Sequence, residues 1–155
     1  MESIKGELIY CVVAHTVQIP LIYEGHRLKR SDLSKTIAQP AGRLIAQAAH
    51  AVSLSRLHMV RKAVFAAKLP NSISLWDTLE RPITTIILGA RDTYELYHVW
   101  HLLNKKNIDT YAFQDTNEDY GSDTVVTAVA TRVVNHDEVV EILDYLPLWR
   151  PQCSV

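Results

Sequence analysis

Two apolar rhythms alternate along this chain, and their alternation limits the fold more than any single motif does. Residues 7–14, Glu-Leu-Ile-Tyr-Cys-Val-Val-Ala, form a nearly continuous apolar run of the kind carried by a strand buried on both faces. From Gly42 the pattern changes: Leu44, Ile45, Ala48, Ala51, Val52, Leu57, Val60 and Val64 recur at steps of three and four, which predicts a long helix to about Lys68. Pro70, Asn71 and Ser72 end it, and Ser74 to Leu79 has room for one helical turn. A second apolar run, Ile83 to Gly89, reads as a buried strand ending on glycine. Asp92 and Glu95 then have capping-box spacing at the start of a helix reaching about Asn107. Residues 109–114 make a third strand and residues 124–134 a fourth, with a polar acidic turn from Asp115 to Asp123 between them. Asn135, with Glu138 in the box position, opens a last helix to about Leu146.

The order strand, helix, strand, helix, strand, strand, helix implies an α/β fold: a three-layer arrangement with a mixed, mostly parallel four-stranded sheet flanked by helices. The fourth strand is the one expected to run antiparallel. Ligands of such sheets sit beyond the carboxyl ends of the parallel strands. That places the loop after the first strand, the start of the long helix and the segment after Phe113 at one rim. With 155 residues and 48% apolar content the chain has the material for one domain, residues 1–155. Residues 15–41, holding Pro20, Gly25 and Pro40, form a long excursion with room for a short hairpin.

The longest uncharged run, Leu8 to Tyr23, is short and polar for a bilayer span. The opening Met1–Glu7 lacks the pattern of a secretory signal, and Cys11 and Cys153 do not make a disulfide framework. A cytoplasmic setting without membrane contact is therefore expected. The net charge of −1 conceals a strong asymmetry. Residues 25–68 hold Arg27, Lys29, Arg30, Lys35, Arg43, Arg56, Arg61, Lys62 and Lys68 against the single acid Asp32. Such a segment either attracts a polyanion or simply solubilises one helix and one loop. His98 and His101 stand at ligand spacing but lack a third partner, so no metal is expected. Gly-rich phosphate loops and a nucleophile elbow are absent from the sequence.

The string from Ala41 to Ala51, Ala-Gly-Arg-Leu-Ile-Ala-Gln-Ala-Ala-His-Ala, resembles the first helix of the archaeal and eukaryotic, or type II, peptidyl-tRNA hydrolases. That family shows Gly-Lys, then Ala-Gln and Ala-His-Ala. Trp76, the strand and helix from Ile83 to Asn107, the strand ending at Asp115 and the strand through Thr127 follow in the family's order. The likeness covers about residues 6–14 and 41–149, with residues 15–41 as an insertion. It implies hydrolysis of the ester joining a peptide to the terminal ribose of tRNA, with no metal or cofactor. By resemblance Asp115 takes the place of the catalytic carboxylate, Thr127 that of a strand hydroxyl in the site, and Arg43 that of the catalytic lysine. The basic residues Arg27, Lys29, Arg30, Lys35, Arg56, Arg61 and Lys62 would then contact tRNA phosphates.

This sequence departs from the family's pattern after the third strand. Asp, any residue, Gly, any residue, Thr, Gln is replaced by Asp115-Thr-Asn117-Glu-Asp119-Tyr120, so Asp119 stands where a hydroxyl is usual and joins the candidate set. Two close carboxylates either yield a general acid or base or repel a polyanion. Arg43 keeps a positive charge but cannot serve as a neutral base. Without the resemblance, Asp115 is a turn former and Thr127 an ordinary strand residue. Gln47 and His50, three apart on the long helix, read as structural. Two rival readings stand beside the hydrolase. One is an RNA- or protein-binding module that kept the fold and lost the chemistry, and the other is a homodimeric interaction domain working through residues 15–41.

Overall fold

The computed structural model of the protein describes residues 6–20, 22–23, 26–27, 34–67, 82–116 and 124–150. Lys29, Arg30, Lys68, Asp119, Cys153, Trp76 and the turn expected at 74–79 lie outside them. In chain order the elements are β1 (Glu7–Pro20), β2 (Ile22–Tyr23), β3 (His26–Arg27), β4 (Ser34–Ala38), α1 (Ala41–Ala67), β5 (Thr84–Asp92), α2 (Thr93–Lys105), β6 (Thr110–Thr116), β7 (Thr124–Thr131), β8 (Val134–Asn135) and α3 (His136–Leu143).

The α/β class holds, but the mostly parallel four-stranded sheet does not. Among the described residues the main sheet has six strands, and its only parallel pair is β1 with β5, Leu8 opposite Thr84 through Thr16 opposite Asp92. The other edge of β1 is shared end to end by three antiparallel partners. β8 lies beside Glu7 and Leu8, β7 beside Cys11 to Val13, and β4 beside Thr16 to Pro20. β6 pairs antiparallel with β7 on its far side. The reason for the correction is where β7 goes. β6 runs in the same direction as β1 and β5, as a strand–helix–strand crossover requires, but β7 slots between β1 and β6 and makes both contacts antiparallel. The carboxyl ends of β1, β5 and β6 still point to one rim.

Two strands outrun their apolar cores. β1 continues past Ala14 because it changes from two-sided to one-sided burial. Val17 is fully buried and packs with Ile37 and Val125, while β4 supplies the missing ladder. Part of the excursion is therefore sheet, and its short hairpin is β2 with β3. β5 runs through Gly89 to Asp92. The glycine is there because a Cβ would come 2.5 Å from His15 Nε2, so it marks a close approach rather than a strand end.

Alternation along β1 builds both cores. Leu8, Tyr10, Val12 and Ala14 face Leu96, Val99 and Leu103 of α2 and Val139, Ile142 and Leu143 of α3. Ile9, Cys11 and Val13 face Leu44, Ala48 and Ala51 of α1, together with Ala128 and Ala130 of β7. Ser55 of α1 donates to the Thr131 carbonyl at 2.7 Å in this second interior.

The helix starts follow the capping signals with one change. Asp92 accepts from the Glu95 N–H at 2.9 Å, but Glu95 returns to the Arg91 N–H at 3.0 Å rather than to Asp92. At α3, Glu138 accepts from the Asn135 N–H at 2.8 Å and from Arg132 at 2.9 Å. The Arg132 hydrogen bond, seconded by that N–H, holds the Glu138 carboxyl below the usual range.

Replacing the fully buried Leu96 with alanine is expected to lower unfolding free energy by about 2–5 kcal/mol, read from urea melts. Because the folded Glu138 is the stronger acid, its stabilisation is complete above the ordinary carboxylate range and fades as pH falls through its lowered value. The melting-temperature gap between the wild type and Glu138→Gln should therefore close on acidification between about pH 6 and 3. A gap that stays constant would remove Glu138 from the acid response.

Candidate active site

Asp115 is the penultimate residue of β6, half-buried at the rim where α1 begins. Gln47 meets it, donating from Nε2 to Asp115 Oδ2 at 3.0 Å. The same amide nitrogen lies 3.4 Å from Gln39 Oε1, and the Gln39 N–H donates to the His15 carbonyl at 2.9 Å. A chain of amides thus ties the middle of β1, the segment before α1 and the end of β6 into one unit. Gln47 is buried at 2% exposure, and its Oε1 has no partner among the described residues. A buried amide that orients a carboxylate by donation is costly unless it serves that carboxylate.

Helical spacing puts Arg43 one turn before Gln47 on the same face, about 6 Å away along the axis. It is half-buried, and no described carboxylate forms an ion pair with it. The first turn of α1 contains no acidic residue, and Gly42 faces open space, where a Cβ would meet nothing within 4 Å. The positive end of this helix is left uncovered by its own side chains.

Thr127 is fully buried on β7, where the register slips between Phe113 and Gln114. Phe113 faces Ala128 and Gln114 faces Val126, so Thr127 is the extra residue of a bulge. Its Oγ1 has no hydrogen-bond partner among the described residues, which is unusual for a buried hydroxyl. Bulges re-aim side chains beside functional sites, and this one lies two residues from Val125, the cross-strand partner of Asp115.

The basic set divides. Arg56, Arg61 and Lys62 lie 13 to 19 residues beyond Arg43 on α1, so about 20 to 28 Å further along the axis. Lys62 is 3.5 Å from Asp109. Arg27 is on β3 and Lys35 on β4. Other nucleophile and ligand candidates fall away. Burial pushes the Cys11 thiol up to about 12, so it carries no thiolate at neutral pH. Among the described residues no three His, Cys, Asp or Glu side chains cluster as metal ligands, and no helix is long and apolar enough to cross a membrane.

The residue that sequence reasoning undervalued is Gln47. Its signal was a primary amide on the apolar stripe of Leu44, Ala48 and Ala51, a position where a polar group needs a partner. What remains is a carboxylate held by an amide, a guanidinium one helical turn before that amide, a buried hydroxyl in a bulge without a partner among the described residues and a helix start with no acidic residue in its first turn. These are the groups that acyl transfer to water needs: a proton acceptor, and cationic or N–H donors for a developing oxyanion. In comparisons with known proteins, no curated protein matches the chain. A family model does, that of peptidyl-tRNA hydrolase PTH2, over residues 28–149. This match takes in β4, α1 and the elements from β5 through α3, and with them Arg43, Gln47, Asp115 and Thr127, and the chain belongs to the type II peptidyl-tRNA hydrolase family.

Proposed function

We propose that this chain hydrolyses the ester between a peptide and the 3′-terminal ribose of tRNA, with Asp115 as the group that positions and deprotonates the attacking water. The observation that carries the reading is the Gln47–Asp115 hydrogen bond at 3.0 Å. It orients a carboxylate beside the first turns of α1, at the rim where the ester would lie. Water oxygen adds to the ester carbonyl while its proton passes to Asp115. The tetrahedral intermediate then expels the ribose oxygen, which takes up a proton, giving a free peptide acid and tRNA.

Arg43 has the complementary part. A guanidinium stays charged, so it grips the terminal phosphate or the oxyanion rather than moving a proton. The amino end of α1 adds donors of the same sign. Thr127 supplies a hydroxyl with no competing partner among the described residues. Asp119 is the further acid that sequence places nearby, and Arg27, Lys29, Arg30, Lys35, Arg56, Arg61 and Lys62 are the cations for the body of the RNA. A second reading, a binding module on the same fold without turnover, is favoured by Arg43, since a residue that cannot be neutral stands where the resemblance puts a lysine.

Asp115→Asn is expected to lower kcat on peptidyl-tRNA by about 100-fold or more with tRNA affinity nearly unchanged. Gln47→Ala, which leaves the carboxylate without its amide donor, should lower kcat by about tenfold. Single-turnover cleavage beside filter-binding titrations checks both. Salt-dependent tRNA binding by the wild type without release of peptide would establish the binding module instead.

A further inference from the structure

We propose that the seam between α1 and the outer strand β6 is a track for unpaired nucleotides, leading from Asp115 to a half-open pocket around Tyr111. The inference rests on the tRNA reading above and adds a subsite to it. Three rungs cross the seam in order. Gln47 meets Asp115, His50 stacks on Phe113 with ring centroids 4.8 Å apart and planes within 11°, and His58 meets Tyr111 at 5.2 Å. Asp115, Phe113 and Tyr111 are alternate residues of one strand, so the rungs stand about 7 Å apart on one face. His50 is exposed and His58 and Tyr111 are half-buried, while the half-buried Phe113 also packs against the interior under α1, so each ring keeps part of its surface open to solvent.

At the far end lies a half-open cavity of about 170 Å³ lined by Ser55, His58, Met59, Lys62, Tyr111, Arg132 and Val133. Its walls are mostly the carbon of rings and of Met59, and its rim carries two cations. Arg132 is fixed by bonds to the Val133 carbonyl and Glu138 at 2.9 Å each. Lys62 is held by Asp109 at 3.5 Å, with both side chains more than half exposed. An exposed pair of that kind contributes little, so exchanging Asp109 for a phosphate costs little. A flat apolar slot with aromatic walls and cations outside suits a base whose phosphate stays at the surface. Arg43 supplies a cation near the opposite end, so the track has cationic side chains near both ends and rings between. From Asp115 to Tyr111 is about 13 Å along β6, room for two nucleotides beyond the esterified one.

The test uses the full chain, a fluorescent single-stranded RNA with the sequence of a tRNA 3′ end, intact peptidyl-tRNA and a minimal acyl-adenosine ester. Tyr111→Leu, which keeps apolar bulk without a π face, and the helix-surface variant His58→Ala should each weaken oligonucleotide binding about tenfold. Tyr111→Phe should bind as the wild type does. The ratio of kcat/KM on peptidyl-tRNA to that on the minimal ester should fall by a similar factor in Tyr111→Leu. Equal oligonucleotide affinity in the wild type, Tyr111→Leu and His58→Ala overturns the track even where the wild type hydrolyses both esters. Tyr111-dependent binding by a wild type that cleaves neither ester keeps the track and removes the hydrolase reading.

Discussion

A strand has two edges and two faces, and β1 commits all four. Its edges carry β5 on one side and β8, β7 and β4 in succession on the other. Its faces divide the molecule into the interior under α1 and the interior under α2 and α3. Once this strand is in place, the remaining elements have little freedom. A parallel partner needs a crossover, and α1 supplies it. β7 must then reach the free middle of the other edge, which forces β6 outward. The position of Asp115 at the rim, on the outermost strand but on the α1 face, follows from that arrangement and not from any local preference of its own sequence.

The contact between Gln47 and Asp115 depends in turn on how close α1 can lie to the sheet. Alanines face alanines across that interior, Ala48 and Ala51 on the helix and Ala128 and Ala130 on β7. Small side chains on both surfaces bring the backbones together, and tight packing tolerates few substitutions there. A larger residue at any of these four positions would lift the helix away and lengthen the 3.0 Å amide contact. The same approach lets Ser55 reach the Thr131 carbonyl, so one packing decision sets both the site and the distant end of the seam.

Periodicity made the helices legible, because three- and four-residue spacing and capping boxes are local signals. α1, α2 and α3 begin where the spacing and the Asp92 and Asn135 signals place them. Strand existence was legible for the same reason. Pairing was not, since Val-rich β7 reads alike whether its neighbours are parallel or antiparallel, and nothing in residues 124–131 states which edge it will occupy. The reach of β1 beyond Ala14 was hidden because its partner β4 sits in a polar stretch whose strand character comes from the ladder rather than from apolar content. Among the candidate site residues, Asp115 and Thr127 stood out only through resemblance, while Arg43 also stood out as a positive charge in the first turn of a helix, against the helix dipole. Gln47 was visible as a misplaced amide, but its partner was 68 positions away.

The choice of an amide to hold Asp115 has an electrostatic consequence. A cation lowers a carboxylate's basicity, whereas an amide such as Gln47 orients it without adding charge. In the hydrolase reading the substrate is a polyanion, so positive groups are needed near the carboxylate as well. Arg43, one turn before Gln47 on α1, and the amino end of that helix, which has no acidic residue in its first turn, carry that sign without an ion pair between Arg43 and the carboxylate. On this view a permanently charged guanidinium at position 43 is compatible with turnover, because proton movement falls to the carboxylate and charge balance to the arginine. The two tasks are then divided between the strand end and the helix start, and the small-residue packing beneath them keeps that division at a fixed distance.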